Sequence, residues 1–257
     1  MLRSIVWYIV FFSSLILKIP AMIRTKTLTK KGLNEERDKL VYKNTTSWAR
    51  TLLKIAGVKV TVHGVENIPK DTNVLYIGNH QGNFDIPIYM SEIPGLKGFV
   101  SKIEVKKIPG VRTWMEYMYC VFMDRSSLRK SSEAIIEGIK ILKKGHSLVI
   151  FPEGTRSRTG SMIEAKKGIL LIARLTKASI IPIGMTGTEI LLPINKNGDM
   201  GGEKFNYSDV NIKFGEPISL PVKEKEEDKH VYDERCMEYI MKSIANLLPE
   251  KYRGVYK

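Results

Sequence analysis

A chain of 257 residues is long enough for one well-packed domain, or for one domain with an appendage. Its 43% hydrophobic content excludes a disordered polar chain, and only two cysteines (Cys120, Cys236) and four histidines argue against a disulfide scaffold or a dedicated zinc site. Forty-one lysines and arginines against 27 acids give a formal charge of +14, which selects an anionic partner: nucleic acid, an acidic lipid surface or phosphorylated substrates.

Residues 5–17 carry no charge, and Lys18 and Pro20 follow. As a helix the run spans roughly 20 Å, short of a bilayer core of about 30 Å. A signal peptide fits Arg3 and the apolar run, but no small-x-small cleavage site follows. A full span needs Lys18 to snorkel and the helix to continue to Ile23. Partial insertion from one side is favoured. Trp7 and Tyr8 suit an interface, and Arg24, Lys26, Lys30 and Lys31 would meet anionic headgroups. Both membrane placements put the body of the protein on the cytoplasmic face of the cell membrane.

Residues 34–56 read as a helix, with Val41, Trp48, Leu52 and Ile55 on one face. That face either packs on a core or forms a second interfacial helix, making a hairpin with the first. Beyond it, short apolar strands alternate with helices. Strands are expected at 58–62, 74–78, 99–101, 120–123, 147–151, 180–184 and 210–214. Helices are expected at 126–144, 165–176 and 231–248, with a charged, solvated linker at 223–229. The alternation predicts an α/β fold: a mixed central sheet flanked by helices, with an amino-terminal membrane-associating helical hairpin. The expected division is a helical segment at 1–56 and an α/β domain at 57–257.

Three polar clusters end or follow strands, where active sites of α/β proteins gather. The first is Asn79-His80-Gln81-Gly82-Asn83-Phe84-Asp85. Gly82 and Asn83 favour a turn that can fold Asp85 back onto the imidazole, and Asn83 could cap a helix beginning near Phe84. A carboxylate on one ring nitrogen leaves the other to accept a proton from an alcohol. A structural histidine is equally compatible with this pattern. With no nucleophilic serine nearby, direct activation of a substrate hydroxyl fits better than a covalent acyl-enzyme. The second cluster, residues 151–158, reads Phe-Pro-Glu-Gly-Thr-Arg-Ser-Arg. Gly154 lets the backbone approach a ligand, and Arg156 offers a planar fork for phosphate. Glu153 either binds a substrate hydroxyl or fixes the loop by pairing with an arginine. The third is Phe122-Met123-Asp124-Arg125, where Arg125, like Lys102, is a further phosphate candidate.

Together these clusters resemble the glycerolipid acyltransferases of the lysophosphatidic acid acyltransferase type. Residues 79–85 match that family's Asn-His-x-x-x-x-Asp in full, and residues 151–157 match Phe-Pro-Glu-Gly-Thr-Arg-Ser letter for letter. Residues 120–125 resemble its second box. There Arg125 is kept, while Cys120 replaces a common glycine and Met123 a β-branched residue. Its fourth box, an apolar strand bearing a proline, fits residues 180–183. Order and spacing agree across roughly residues 58–220.

The resemblance implies that His80 deprotonates the acceptor hydroxyl and Asp85 orients it. Arg156, with Lys102 and Arg125, would hold the acceptor's phosphate, and Glu153, Gly154 and Thr155 would form the glycerol site. It further implies acyl transfer from a thioester of coenzyme A or acyl carrier protein to the sn-2 hydroxyl of lysophosphatidic acid, giving phosphatidic acid. No metal or redox cofactor is expected. Expected partners are the lysophospholipid acceptor, the acyl thioester and a membrane surface bearing anionic lipids. A different lysolipid acceptor is the rival within the enzyme class, and a non-catalytic basic membrane-binding protein the rival outside it. No nucleic-acid recognition motif accompanies the charge.

Overall fold

The computed structural model describes residues 2–157, 159–193 and 204–257. The chain opens with α1 (Leu2–Leu17) and α2 (Ile19–Lys30), separated by a 41° bend. Pro20 sits in the first turn of α2, where its missing N–H costs no helix bond. Among the described residues no single helix is long and apolar enough to cross a membrane. The bent pair passes that test together, by length and composition.

The chain then reverses at residues 31–33 into α3 (Asn34–Ala56), which completes the expected hairpin. Of the two alternatives for residues 34–56, packing on a core is what the structure shows, together with the hairpin. It packs against α1 and α2, and it buries Val41, Ala49, Leu52, Leu53 and Ala56 in the main core. Trp7 fastens α1 to it: the ring is buried and Nε1–H donates to the Leu52 carbonyl at 3.0 Å. Lys18 does not reach outward; its Nζ donates to Asn44 Oδ1 at 3.1 Å across the hairpin. The opposite face of α1 stays bare. Ile5, Ile9, Phe12 and Ile16, spaced four, three and four apart, are each at least 50% exposed and form an apolar stripe.

After β1 (Val58–His63) and β2 (Val74–Gly78) come α4 (Asp85–Glu92), β3 (Lys97–Lys102), α5 (Val111–Tyr117) and β4 (Val121–Met123). The chain continues through α6 (Leu128–Lys143), β5 (Ser147–Ile150), α7 (Gly168–Thr176), β6 (Ser179–Thr186), α8 (Thr188–Leu191), β7 (Ser208–Phe214) and α9 (Lys229–Ala245). Among the described residues seven strands form one sheet in the order β1-β7-β6-β2-β5-β3-β4. Only β6 and β7 pair antiparallel, so the sheet is mixed as expected. The central strand β2 is buried throughout, whereas β7 alternates buried and exposed residues. Ser127 caps α6, its side chain accepting from Lys130 N–H, which is why that helix begins at 128.

Successive side chains of a strand point to opposite faces. Val74 and Tyr76 of β2 join the core under α1, α3, α4 and α5, while Leu75 and Ile77 join the core under α6, α7 and α9. The helical segment before residue 57 therefore shares one of these cores with the sheet. Strands β2, β5, β3 and β4 are neighbours and mutually parallel, so their carboxyl ends lie along one edge of the sheet. All three polar clusters are attached to that edge.

Candidate active site

Strand β2 ends at Gly78, where any Cβ would meet Tyr89 Oη at 2.1 Å. Asn79 follows and is almost fully buried. Its Nδ2 donates to the Met185 carbonyl and its Oδ1 accepts from Met185 N–H, both at 2.9 Å. The side chain thus continues the β2–β6 pairing one residue past the strand and fixes where His80 begins.

His80 leaves the strand held at both main-chain ends. Its N–H donates to Glu153 Oε1 at 3.0 Å, and its carbonyl accepts from Ser157 N–H at 2.7 Å. The turn then brings Asp85 back, with its carboxylate completely buried. Asp85 Oδ2 lies 2.6 Å from His80 Nδ1 and accepts the N–H groups of Gln81 (2.7 Å) and Gly82 (3.0 Å). Oδ1 accepts the Thr188 hydroxyl. Asp85 also opens α4, where the helix dipole favours a negative charge. An ionised carboxylate only accepts hydrogen bonds, so the proton belongs on Nδ1 and Nε2 is the basic nitrogen. The imidazole stacks on Phe151 with centroids 4.1 Å apart, and 17% of the side chain remains exposed.

Asn83 does not cap α4. Phe84 occupies the cap position without a side-chain bond, because Asn83 Oδ1 accepts from Arg156 Nη1 at 2.8 Å. That bond joins the first cluster to the second. Gly154 adopts φ +70°, a conformation that a side chain would strain. Arg158 lies outside the described residues.

His80, Lys102, Arg125, Gly154, Thr155 and Arg156 line one cavity of about 850 Å³. Its remaining wall is mainly apolar and includes Phe11 and Leu15 of α1, Trp48 of α3, and Trp114, Met115 and Met118 around α5. Glu153 is not on this wall. It is 1% exposed and behind the histidine, and its second oxygen accepts Ile163 N–H at 3.3 Å. Neither a substrate hydroxyl nor an arginine is what these oxygens face; they brace main chain. Burial pushes its carboxyl up to about 8, opposed by the two N–H bonds and reinforced by the charge of Asp85. Thr188, 103 residues beyond Asp85, left no signal in the sequence. Nor did the Gln81 Nε2–H bond to the Gly160 carbonyl (2.7 Å), which adds a further tie between the two loops.

The site therefore joins a buried carboxylate and an imidazole to an apolar cavity with cations on its wall. Comparisons with known proteins give its family. Residues 59–186 match the family model described as Acyltransferase, and the chain belongs to that family. It is 37% identical over 136 residues to the 1-acyl-sn-glycerol-3-phosphate acyltransferase of Borreliella burgdorferi, covering 53% of this chain and 54% of that one. A probable 1-acyl-sn-glycerol-3-phosphate acyltransferase of Mycoplasma genitalium is 30% identical over 191 residues, covering 72% of this chain and 69% of that one. The chloroplastic enzyme LPAT1 of Arabidopsis thaliana is 33% identical over 62% of this chain and 44% of its own length. The chain thus spans about half the length of the Borreliella and Arabidopsis relatives. Among solved structures, the 1-acyl-sn-glycerophosphate (LPA) acyltransferase PlsC of Thermotoga maritima superposes with a TM-score of 0.75. The two are 26% identical, and the match covers 96% of this chain and 95% of that one.

Proposed function

We propose that the protein transfers an acyl group from a thioester to the sn-2 hydroxyl of lysophosphatidic acid, giving phosphatidic acid. The observation that carries this reading is the His80–Asp85 pair opening onto a cavity whose wall also bears Lys102, Arg125 and Arg156. His80 Nε2 takes the acceptor's hydroxyl proton as the oxygen attacks the thioester carbonyl. The tetrahedral oxyanion collapses, the carbon–sulfur bond breaks, and the imidazolium protonates the departing thiolate. Asp85 keeps the ring oriented and stabilises its charge while the proton is held. Arg156, fixed by Asn83 beside the histidine, grips the acceptor's phosphate, with Lys102 and Arg125 completing a cationic rim. Gly154 and Thr155 shape the glycerol site between them, and Glu153 holds the histidine's main chain. The apolar wall receives acyl chain. No metal or redox cofactor enters these steps.

The test is acyl transfer by the purified chain from labelled acyl-coenzyme A and acyl carrier protein thioesters to a panel of lysolipids with and without a terminal phosphate. Transfer to lysophosphatidic acid well above the other acceptors supports the reading; no transfer from either donor overturns it. Within that assay, Arg156→Lys keeps the charge but loses the planar fork. The KM for lysophosphatidic acid should rise by about tenfold or more, the size of one lost charge-assisted bond. Unchanged kinetics would remove Arg156 from the phosphate site.

The bare stripe of α1 supports docking on the cytoplasmic face of an anionic membrane, with Arg24, Lys26, Lys30 and Lys31 of the α2 segment meeting headgroups. Removing residues 1–23 would also strip Trp7 from the core. The cleaner test is Ile9→Asp with Phe12→Asp, which touches only the exposed face. Vesicle flotation should fall several-fold with the thermal melt unchanged. Undiminished flotation would show that the stripe is not the membrane contact.

A further inference from the structure

Two cations on the cavity wall have no part in the scheme above: Lys18, which is held by Asn44, and Lys166. Lys166 precedes α7, and its main-chain N–H donates to the Pro152 carbonyl at 2.8 Å, which fastens it to the loop that carries Arg156. Its stem passes over Gly154, with Cγ 3.4 Å from where a Cβ would stand there. The side chain lines the cavity, and its ammonium has no ion-pair or hydrogen-bond partner among the described residues. The adjacent Lys167 does the opposite. It turns away to α9, 3.3 Å from His230 Nε2 and 3.7 Å from Glu234.

Position separates Lys166 from the amino-terminal helices. It stands at the start of α7, on the sheet face covered by α6, α7 and α9. The amino-terminal helices and their apolar stripe belong to the opposite face. A lipid acceptor enters from the side of the stripe. A thioester donor carries a water-soluble, phosphorylated arm that must remain in water while its acyl carbon reaches His80. The side of the cavity away from the lipid is where that arm fits.

Resting on the proposed function, we propose that Lys166 binds a phosphate of the acyl donor and so sets donor affinity, leaving the acceptor's phosphate to Arg156, Lys102 and Arg125. The shared chemistry is a phosphate ester on a pantetheine arm, whether free as in coenzyme A or borne by a carrier protein.

The test uses the full chain, Lys166→Ala and Lys166→Arg. Lys166 is exposed, so neither change should disturb folding. Binding of S-hexadecyl-coenzyme A, a thioether that cannot react, is measured beside S-hexadecyl-pantetheine, which has no phosphate. Lys166→Ala should weaken the phosphorylated ligand about tenfold and leave the phosphate-free one unchanged, while Lys166→Arg restores most of the loss. In turnover, KM for either phosphorylated donor should rise and KM for lysophosphatidic acid should stay within twofold. Equal weakening of both thioethers, a shift confined to the acceptor's KM, or no shift at all would overturn the assignment. If the unaltered chain transfers no acyl group from either thioester, the proposed function falls and this assignment with it. Normal turnover with an indifferent Lys166→Ala removes this assignment alone.

Discussion

His80→Ala should lower kcat by on the order of 10³-fold or more, near the upper part of the range for a positioned general base. Nδ1 is committed to the buried Asp85, so Nε2 is the ring nitrogen available to an alcohol at the cavity. No other described histidine lies on the cavity wall to replace it. The fold should survive. The lost contacts are the stack on Phe151, worth about 1 kcal/mol, and the Nδ1–H bond to Asp85, whose Oδ2 keeps the N–H groups of Gln81 and Gly82. The measurement is single-turnover acyl transfer together with a thermal melt. A variant that keeps more than a tenth of the rate would refute general-base catalysis by this residue and revive the non-catalytic membrane protein.

The second large effect is expected at Asp85, where two substitutions separate chemistry from folding. In Asp85→Asn the amide oxygen can still accept from His80, Gln81 and Gly82, while the Thr188 hydroxyl reverses to accept from the amide nitrogen. The N–H groups of His80, Gln81 and Gly82 and the Thr188 hydroxyl all keep a partner, one amide hydrogen is added, and the charge is lost. The melt should therefore change little. The imidazolium that forms during transfer loses its counter-charge, and kcat should fall by on the order of 10²- to 10³-fold, as when one electrostatic partner of a transition state is removed. Asp85→Ala instead orphans several buried donors, at about 1–3 kcal/mol each, and should lower the melting temperature sharply. If Asp85→Asn transferred acyl groups at the native rate, the aspartate would be a turn-builder and nothing more.

Much of the scaffold was legible because its elements obey simple periods. Residues 74–78 form an unbroken apolar run, and β2 occupies those positions; the 3.6-residue recurrence across 34–56 gave α3 to the residue. The seven strands all lie where apolar runs announced them. Errors fall where tertiary contacts decide. Helix α7 begins at Gly168 rather than 165; the residues before it are tied instead to distant segments, Lys166 N–H to the Pro152 carbonyl and Ala165 N–H to the Tyr256 hydroxyl. The seven-residue α5 is too short to show a period. Lys97 is buried, its Nζ donating to the Ile93 carbonyl beyond α4, and burial lowers it to about 7. At the site, the histidine and aspartate are close in sequence, so their meeting was visible in a turn. The braces from Glu153, Met185 and Thr188 arrive from 73 to 106 residues away, and no local pattern encodes them.

Those distant braces have a consequence for how the protein acquires its site during synthesis. The two motifs emerge early, with the histidine loop and the arginine loop both complete by residue 157. Yet Asn79 and Asp85 each wait for a partner on β6 or α8, beyond residue 178. A nascent chain holding every signature residue would still lack the clamp that positions them. Competence would then switch on only as β6 slots in beside β2 at the middle of the sheet, a late and non-local event. A half-made chain would carry His80 unassembled, and would hold its imidazole toward the cavity only when the sheet closes.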